Sequence, residues 1–572
     1  MTKKVEVMDT KKQIVFVLFV IVVFCSIPLF FEKIYDGHDL DFHLRRINGI
    51  YEGIIDKKVN LRIQSGWYDD YGYAVGVFYG DILLYFPALL RSIGLSIIAS
   101  YKCFIFAINF LTVFISYYCF SRIYGNKIGL TLSFFYSTSI YRLVDIYLRH
   151  AVGEYCAIAF LPVVVLAFYY LINDNYVDST IAFIVGWTGI IQSHVLSTEL
   201  VLGFSVLFCI IQLRSIFCFN RVISLSVSAF AVLAVNASFL IPFLDYSIQN
   251  ECNITQRWRG GSIQDHGLYV RQLFNLFPQS KGISSIITQG IENDMPLTVG
   301  VSLIIGLMIA IMVCLSTGRN NTELKLFCAL AVLSLFMSTV YFPWDSICKI
   351  GALRRFIVNI QFSWRFLEIA LVFIVLSMGE TFRHFGQEIK KNSCLKVMIL
   401  SLSFVSIVSA SYYMASIPSL QDKKDYTNAS EIDSSRWDEY LPVGAENIKR
   451  TCDYYANNTQ VTNYKKEHQS IQFEYSSTDN SYVVLPLFAY KYYSCTITNK
   501  TTHETDVIHP ETKDTLICIS LPDNSSGIIS VDFTTPALWI IADYVSFVSV
   551  VIGLVIIFMY KRKYRITTET VK

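Results

Sequence analysis

Long apolar stretches recur along this chain, and they constrain its fold more than any other feature. A helix needs about 20 mostly apolar residues to cross the ~30 Å hydrocarbon core of a bilayer. Twelve stretches approach that length, at about 13–31, 101–121, 127–142, 156–173, 179–193, 197–213, 222–244, 296–316, 325–342, 366–381, 396–416 and 538–560. Charged residues make up only 16% of the chain, against about 25% in soluble domains. We therefore expect a polytopic α-helical membrane protein with about twelve spans.

The short connections between these stretches predict an orientation, because cytoplasmic loops collect Lys and Arg. With a cytoplasmic N-terminus, one side receives Arg122, Lys127, Arg214, Arg221, Arg319, Lys325, Arg383, Lys390, Lys391 and Lys396. An even number of spans places both termini in the cytoplasm. Four long segments then lie outside, at about 32–100, 245–295, 343–365 and 417–537. The net charge of +2 gives no general attraction to nucleic acid.

The last of these long segments differs from the rest in composition. It is polar, and alternating runs at 470–475, 482–487 and 527–533 predict strands. We expect a membrane domain at 1–416 with a large first outer loop at 32–100. A small extracytoplasmic β-rich domain at 417–537 and a last span with a basic tail at 538–572 follow. Cys452, Cys495 and Cys518 could form one disulfide in an oxidising compartment, but their odd number leaves unpaired thiols equally open.

Ionisable residues gather just after the first apolar stretch. The spacing of apolar residues predicts a helix after Asp39, and Asp39, His43 and Arg46 then share one stripe of it. A carboxylate, an imidazole and a guanidinium on one face suit phosphate binding and proton transfer. A solvated amphipathic helix with an N-capping aspartate fits the same pattern.

Three further polar clusters fall on the same predicted side. Asp145 and Arg149 are spaced for one helix face, and Glu154 follows before an apolar run; His194 and Arg365 border predicted spans. Each also fits a structural role, such as an ion pair, a helix end or a snorkelling arginine. No P-loop, GxSxG, HExxH or GxGxxG motif accompanies them. Their oxygen and nitrogen atoms would suit a divalent cation, and metal dependence stays open.

The order of these motifs resembles a known family. An Asp-bearing loop after the first span is typical of the GT-C superfamily of integral-membrane glycosyltransferases. More specifically, the stretches at 37–47 (GHDLDFHLRRI), 71–88, 141–154 and 361–367 (QFSWRFL) resemble the bacterial YfhO-type membrane proteins. The match covers about 30–370. Ser363 stands where that family's motif has Pro.

The resemblance implies a GT-C-like fold and a glycosyltransferase with an extracytoplasmic active site. The donor would be a polyprenyl-phosphate sugar made by an upstream glycosyltransferase, and the acceptor a cell-surface polymer or a lipid-linked glycan. The implied base is Asp39, with Asp41 as its substitute. The implied substrate-binding residues are Arg149 and Arg365, then Arg46, for the lipid phosphate, and His43, Glu154 and His194 for positioning. The alternatives are a flippase or transporter of lipid-linked saccharides, and a non-catalytic membrane protein that binds a wall polymer.

Overall fold

The structure is a computed structural model. It describes residues 2–58, 60–248, 252–257, 263–279, 295–316, 321–387, 392–426, 428–433, 435–451, 453–500 and 503–570. Cys452, one of the three cysteines of the predicted disulfide, lies outside these residues.

Helices occupy most of the described chain. The N-terminal half contains α1 Thr2–Cys25, α2 Leu40–Ile55, α3 Val75–Phe78, α4 Tyr85–Ser92, α5 Ile97–Tyr124, α6 Asn126–Ser137, α7 Ile140–Val144, α8 Val152–Ile172, α9 Tyr176–Ile191, α10 Val195–Ile211, α11 Leu213–Ile216, α12 Phe219–Val235, α13 Ala237–Ile248 and α14 Ile254–Arg257. The C-terminal half contains α15 Val301–Ser316, α16 Thr322–Met337, α17 Trp344–Ile347, α18 Gly351–Asn359, α19 Phe366–Gln387, α20 Asn392–Leu420 and α21 Ala537–Thr570.

The predicted membrane-spanning character is confirmed only in part. Within the described ranges, four helices are long and apolar enough to cross a bilayer, at Ile97–Tyr124, Val152–Ile172, Ser393–Leu420 and Ala537–Tyr560. A fifth span results if α12 and α13, which meet at an angle of 77°, count as one. The other predicted stretches also form helices, but several are short; α6, for example, ends at Ser137 after 12 residues. The number of about twelve spans is therefore not confirmed.

The chain divides into two compact units that interleave in sequence. Unit 1 comprises Met1–His43, Gly94–Ala229 and Trp258–Thr427, and unit 2 comprises Leu44–Ile93, Phe230–Arg257 and Asn428–Lys572. The predicted domains are continuous stretches of sequence with boundaries at 416 and 537. This division into interleaved units does not test them, so they stay a prediction.

Unit 1 is helical, and its core is formed where apolar helix faces meet. The pairs α5–α6, α5–α8, α8–α9, α15–α19 and α16–α19 pack against each other. A two-stranded sheet of β1 (Ile34–Tyr35) and β2 (Lys423–Lys424) joins the two ends of the unit. Arg142 is fully buried in this core, where its guanidinium donates to the Ser137 carbonyl and to the Asn109 side chain. Those hydrogen bonds compensate the cost of removing its charge from water.

Unit 2 contains the predicted β-rich region, which is confirmed. Its strands are β3 Tyr455–Glu467, β4 Ser470–Phe488, β5 Tyr493–Asn499, β6 Thr505–Ile508, β7 Glu511–Lys513, β8 Leu516–Ser520 and β9 Ser526–Phe533. They form an antiparallel sheet in the order β6-β5-β9-β4-β8-β7, with β3 beside β4. Ile471 and Phe473 alternate toward the buried face, as the period-2 pattern predicts. Cys495 and Cys518 are buried and free.

A half-buried carboxylate holds the start of the last helix within unit 2. Asp245 of α13 accepts hydrogen bonds from the Tyr492 hydroxyl at 2.6 Å and from the indole N–H of Trp539 at 3.0 Å. Trp539 is fully buried at the start of α21. The carboxylate therefore links α13, the sheet and the last helix by charge-assisted hydrogen bonds.

Candidate functional site

The candidate site is built on an irregular connection between α7 and α8. Residues Asp145–Arg149 form one π-helical turn, and His150 then takes a left-handed backbone conformation with φ of 51°. Such a conformation costs energy in a residue other than glycine, and π turns are frequent at functional sites. The connection turns the chain sharply, so that Arg149 and Glu154 both reach the same buried space.

The loop that carries Asp39 is hydrogen-bonded to this connection. The backbone N–H of His38 donates to the Leu148 carbonyl at 3.2 Å, and that of Asp39 donates to the Arg149 carbonyl at 2.9 Å. Asp39 is half-buried, and its carboxylate acts electrostatically on the Arg149 guanidinium. Asp39 and Arg149, which are 110 positions apart in the sequence, are therefore neighbours.

Gly37 allows the two segments to approach. A Cβ atom at this position would lie 2.1 Å from the His150 imidazole Cδ2 and 2.6 Å from the Leu148 carbonyl oxygen. Backbone and ring cannot both move away without displacing the loop. The glycine of the GHD sequence is therefore required by close packing.

His150 holds the other side of this contact as a neutral imidazole. Its Nε2 lies 3.2 Å from the Tyr35 carbonyl, which can only accept, and its Nδ1 lies 3.1 Å from the Tyr101 hydroxyl. Nε2–H therefore donates and Nδ1 accepts. Burial lowers the pKa of His150 to about 4.

Arg149 and Glu154 form the centre of a buried ion-pair cluster. Arg149 Nη1 donates to Asp145 Oδ1 and, at 2.8 Å, to Glu154 Oε2. The Tyr141 hydroxyl donates to the other oxygen of Glu154, and the Arg365 Nε lies 3.5 Å from Oε2. All of these side chains are under 10% exposed. Ion pairs between buried side chains interact far more strongly than ion pairs at a surface, because less water screens their charges.

Arg365 reaches the cluster from the start of α19. Its Nη1 donates to the Ile360 carbonyl at 2.8 Å and to the Gln361 side chain at 2.9 Å, and its guanidinium lies over the Phe362 ring. Ser363 is buried, and its hydroxyl donates to the Ile263 carbonyl at 3.1 Å. The Ser363 hydroxyl therefore anchors the turn before α19 by a hydrogen bond, and Arg365 remains in the cluster.

His194 approaches the same cluster across Gly153. A Cβ atom at Gly153 would lie 2.9 Å from His194 Cδ2. His194 caps α10, because its Nδ1 accepts from the Ser197 backbone N–H at 3.2 Å. Burial, together with the positive charge of Arg365, lowers the pKa of His194 to about 3. The imidazole is therefore neutral, with its proton on Nε2.

A further carboxylate, Glu368, belongs to the cluster. Its Oε2 lies 2.9 Å from the Ser197 hydroxyl, and that hydroxyl lies 2.8 Å from His194 Nδ1. Glu368 Oε1 is buried without a hydrogen-bond partner, as is Asp145 Oδ2. The cluster thus has the carboxyl groups of Asp145, Glu154 and Glu368 for two guanidinium groups.

The three carboxyl groups of the cluster shift the pKa values of Asp145 and Arg149. Burial and the charge of Glu154 raise the pKa of Asp145 well above its usual range, although Arg149 opposes them. For Arg149, burial alone would lower the pKa, but the carboxylates of Glu154 and Asp145 outweigh it and raise the pKa above its ordinary value. The site therefore holds fixed positive charge and has capacity for a proton.

The remaining predicted site residues have other surroundings. Asp41 is buried and accepts a hydrogen bond from the Tyr426 hydroxyl. His43 is buried, with its ring edge-on to Phe42. Arg46 belongs to unit 2, where it donates to Asp81 at 2.7 Å and to the Gly80 carbonyl at 3.0 Å. These contacts give Arg46 a structural ion pair inside its own unit.

Four members of the cluster were not among the predicted catalytic or substrate-binding residues: Tyr141, Asp145, Ser197 and Glu368. The sequence predicts Asp145 only as an ion-pair partner of Arg149 or as a cation ligand. Glu368 carries a sequence signal, because an acidic residue three positions into a predicted apolar span is costly and marks a site. Ser197 and Tyr141 carry no comparable signal, since both residue types are common at helix ends.

In the described part of the chain, no group of three or more His, Cys, Asp or Glu side chains is arranged to hold a metal ion. No protein-family model and no curated protein sequence matches this chain. The resemblance to the YfhO-type membrane proteins therefore stays a prediction.

Proposed function

We propose that this chain is a membrane glycosyltransferase that moves a sugar from a polyprenyl-phosphate donor to a surface polymer or a lipid-linked acceptor. One observation carries the proposal: the loop of Asp39 is hydrogen-bonded to the connection that bears Arg149, in a buried cluster with Glu154 and Arg365. The transfer needs a base for the acceptor hydroxyl and positive charge for the leaving phosphate. Both kinds of group meet here.

Asp39 is the proposed base. The acceptor oxygen attacks the anomeric carbon, the bond from that carbon to the lipid phosphate breaks, and the hydroxyl proton passes to the Asp39 carboxylate. Asp39 is half-buried and so can be reached by an acceptor, whereas Asp41 is buried and already accepts from Tyr426. This difference favours Asp39 over Asp41.

Arg365 is the proposed cation for the lipid phosphate. Arg149 already donates from one nitrogen to two carboxylates, so a phosphate there would compete with both. Arg365 is 3.5 Å from one carboxylate and otherwise donates to uncharged oxygens. Glu154 and His194 would hold the two guanidinium groups in place, and the charge of Arg46 is compensated by Asp81.

The proposed topology places both termini in the cytoplasm and the cluster at the outer face of a bacterial cell membrane. The donor would reach the site from the outer leaflet, after an upstream glycosyltransferase has made it. This topology rests on the distribution of basic residues in the short connections.

The test is transfer of radiolabelled sugar from polyprenyl phosphate by membranes that contain the full-length protein. We expect Asp39→Asn to abolish transfer at unchanged expression, and Arg365→Lys to raise the donor KM more than the acceptor KM. Asp174→Asn is the matched control, because Asp174 is exposed and pairs only at the surface with Arg221. Wild-type turnover by Asp39→Asn would reject Asp39 as the base, and absence of transfer by the wild type would favour a non-catalytic protein.

A further inference from the structure

Three side chains of the cluster are linked by hydrogen bonds at the starts of α10 and α19. Glu368 Oε2 lies 2.9 Å from the Ser197 hydroxyl, and that hydroxyl lies 2.8 Å from His194 Nδ1. The backbone N–H of Ser197 also points at His194 Nδ1, at 3.2 Å. Glu368 and Ser197 are at most 1% exposed, and His194 is 5% exposed. Because so little water reaches these groups, the protein itself must satisfy their hydrogen bonds.

The position of each hydrogen atom follows from the one donor that cannot change. A backbone N–H only donates, so the N–H of Ser197 requires His194 Nδ1 to be an acceptor. This N–H belongs to the first turn of α10, where backbone N–H groups have no acceptor within the helix. Nδ1 therefore carries no hydrogen, and at 2.8 Å the Ser197 hydroxyl must donate to it. A hydroxyl has a single hydrogen, so Ser197 cannot also donate to Glu368.

We propose that Glu368 is a neutral carboxylic acid, which donates its proton to the Ser197 hydroxyl oxygen. An ionised carboxylate only accepts, and at 2.9 Å it would face an oxygen with no hydrogen to give. A protonated carboxyl group supplies the missing hydrogen. Glu368 then donates to Ser197, Ser197 donates to His194, and each contact has one donor and one acceptor.

The surroundings of Glu368 favour the same state. Removal from water disfavours the charged form of a carboxyl group, and Glu368 is fully buried. The carboxyl groups of Glu154 and Asp145 act on it in the same sense, whereas the guanidinium of Arg365 opposes them. Arg365 already lies 3.5 Å from the Glu154 carboxylate. A third positive charge, on His194, would be repelled by both Arg365 and Arg149.

The protonated acid makes Glu368 a positioning residue for His194. With Nδ1 occupied as an acceptor, the imidazole can offer a substrate only its Nε2–H. This atom has no hydrogen-bond partner in the described part of the chain. A neutral N–H donor suits an oxygen of the sugar or of the lipid phosphate. This last step rests on the proposed function, whereas the protonation of Glu368 does not.

The test measures the protonation of Glu368 by infrared spectroscopy of the detergent-solubilised full-length protein at pH 7. The side-chain carboxyl carbons of glutamate are labelled with 13C, so that the bands of aspartic acids such as Asp145 do not move. We expect a labelled C=O band of a protonated carboxyl group that is present in the wild type and lost in Glu368→Gln. Spectra without this difference overturn the proposal.

Two substitutions on α10 test the partner of the acid proton. Ser197→Ala removes the accepting oxygen, so the frequency of the Glu368 band should shift. Thr198→Val is the matched control, because the Thr198 hydroxyl donates to the His194 carbonyl at 2.9 Å and does not contact Glu368. It should leave the band in place. The same result in both variants overturns the assignment of Ser197 as the partner.

A measurement on the wild type does not depend on the folding of any variant. The 15N NMR signals of the His194 ring, assigned by their loss in His194→Asn, distinguish the two neutral tautomers. We expect the hydrogen on Nε2. A hydrogen on Nδ1 overturns the proposal, because the Ser197 hydroxyl could then donate to an ionised Glu368. Absence of sugar transfer together with both expected spectra would count against the proposed function alone.

Discussion

Glu154 is the carboxylate on which two buried arginines converge, and its replacement by glutamine gives the sharpest test of the cluster. Its Oε2 accepts from Arg149 at 2.8 Å and lies 3.5 Å from Arg365 Nε, and its side chain is 1% exposed. Glu154→Gln keeps the shape and removes the charge. Breaking a buried ion pair by removing one partner costs about 3–5 kcal/mol. Because glutamine still offers an oxygen to Arg149, we expect the free energy of unfolding to fall by about 3 kcal/mol, the lower end of that range.

The matched control is the same substitution at an exposed ion pair of unit 1. Glu323 pairs with Arg383 at 2.9 Å, but its side chain is 63% exposed. Exposed pairs contribute about 0–1 kcal/mol, since water already solvates both charges. The free energy of unfolding of both variants and the wild type is measured in detergent with a chemical denaturant. Equal losses in the two variants would refute the argument that burial makes the Glu154 pair costly to break.

Three further predictions follow from other contacts. Gly37→Ala should lower the unfolding temperature, because the new Cβ would lie 2.1 Å from His150. Gly203→Ala is the control and should leave the unfolding temperature unchanged, because no atom lies within 4 Å of its new Cβ. Equal shifts in the two variants would contradict the packing argument. His150 and His194 stay neutral with pKa values of about 4 and 3, whereas the unfolded chain binds protons below about pH 6.5. The ring-nitrogen signals of both histidines in 15N NMR spectra should therefore stay those of a neutral imidazole as the pH falls from 8 to 5; titration of either ring near pH 6.5 would show that it is not buried. Asp245→Ala removes the acceptor of the buried indole N–H of Trp539 and should lower the free energy of unfolding, measured with a denaturant, by about 1–3 kcal/mol. A change close to zero would show that water reaches this N–H.

The sequence predicts the local structure well where a pattern is local. The alternating runs at 470–475 and 527–533 are strands, and the predicted apolar stretches are helices. The span count is the weaker inference, because apolar composition does not fix where a helix ends. The stretch at 222–244 breaks at Asn236, and the stretch at 127–142 ends early at Ser137. Such breaks depend on tertiary packing, which periodicity does not contain.

The candidate site shows the same limit. Arg149, Glu154, His194 and Arg365 were predicted separately, and the structure brings them together. Arg46 shares a predicted helix stripe with Asp39, but its charge pairs with Asp81 in unit 2. The left-handed His150 and the π turn before it decide where Arg149 points, and no periodic pattern marks either. Backbone irregularity of this kind is visible only in the folded chain.

Three short apolar helices of unit 1 bear on the proposed membrane topology. α9 and α15 have 16 residues each and α10 has 17, which corresponds to about 24–26 Å of rise. That rise is shorter than the ~30 Å hydrocarbon core that a span must cross, whereas α5, with 28 residues, exceeds it. If the three short helices cross the bilayer as the proposed topology requires, the bilayer must thin beside them, at a cost of fractions of a kcal/mol per Å, while α5 must tilt or extend beyond the core.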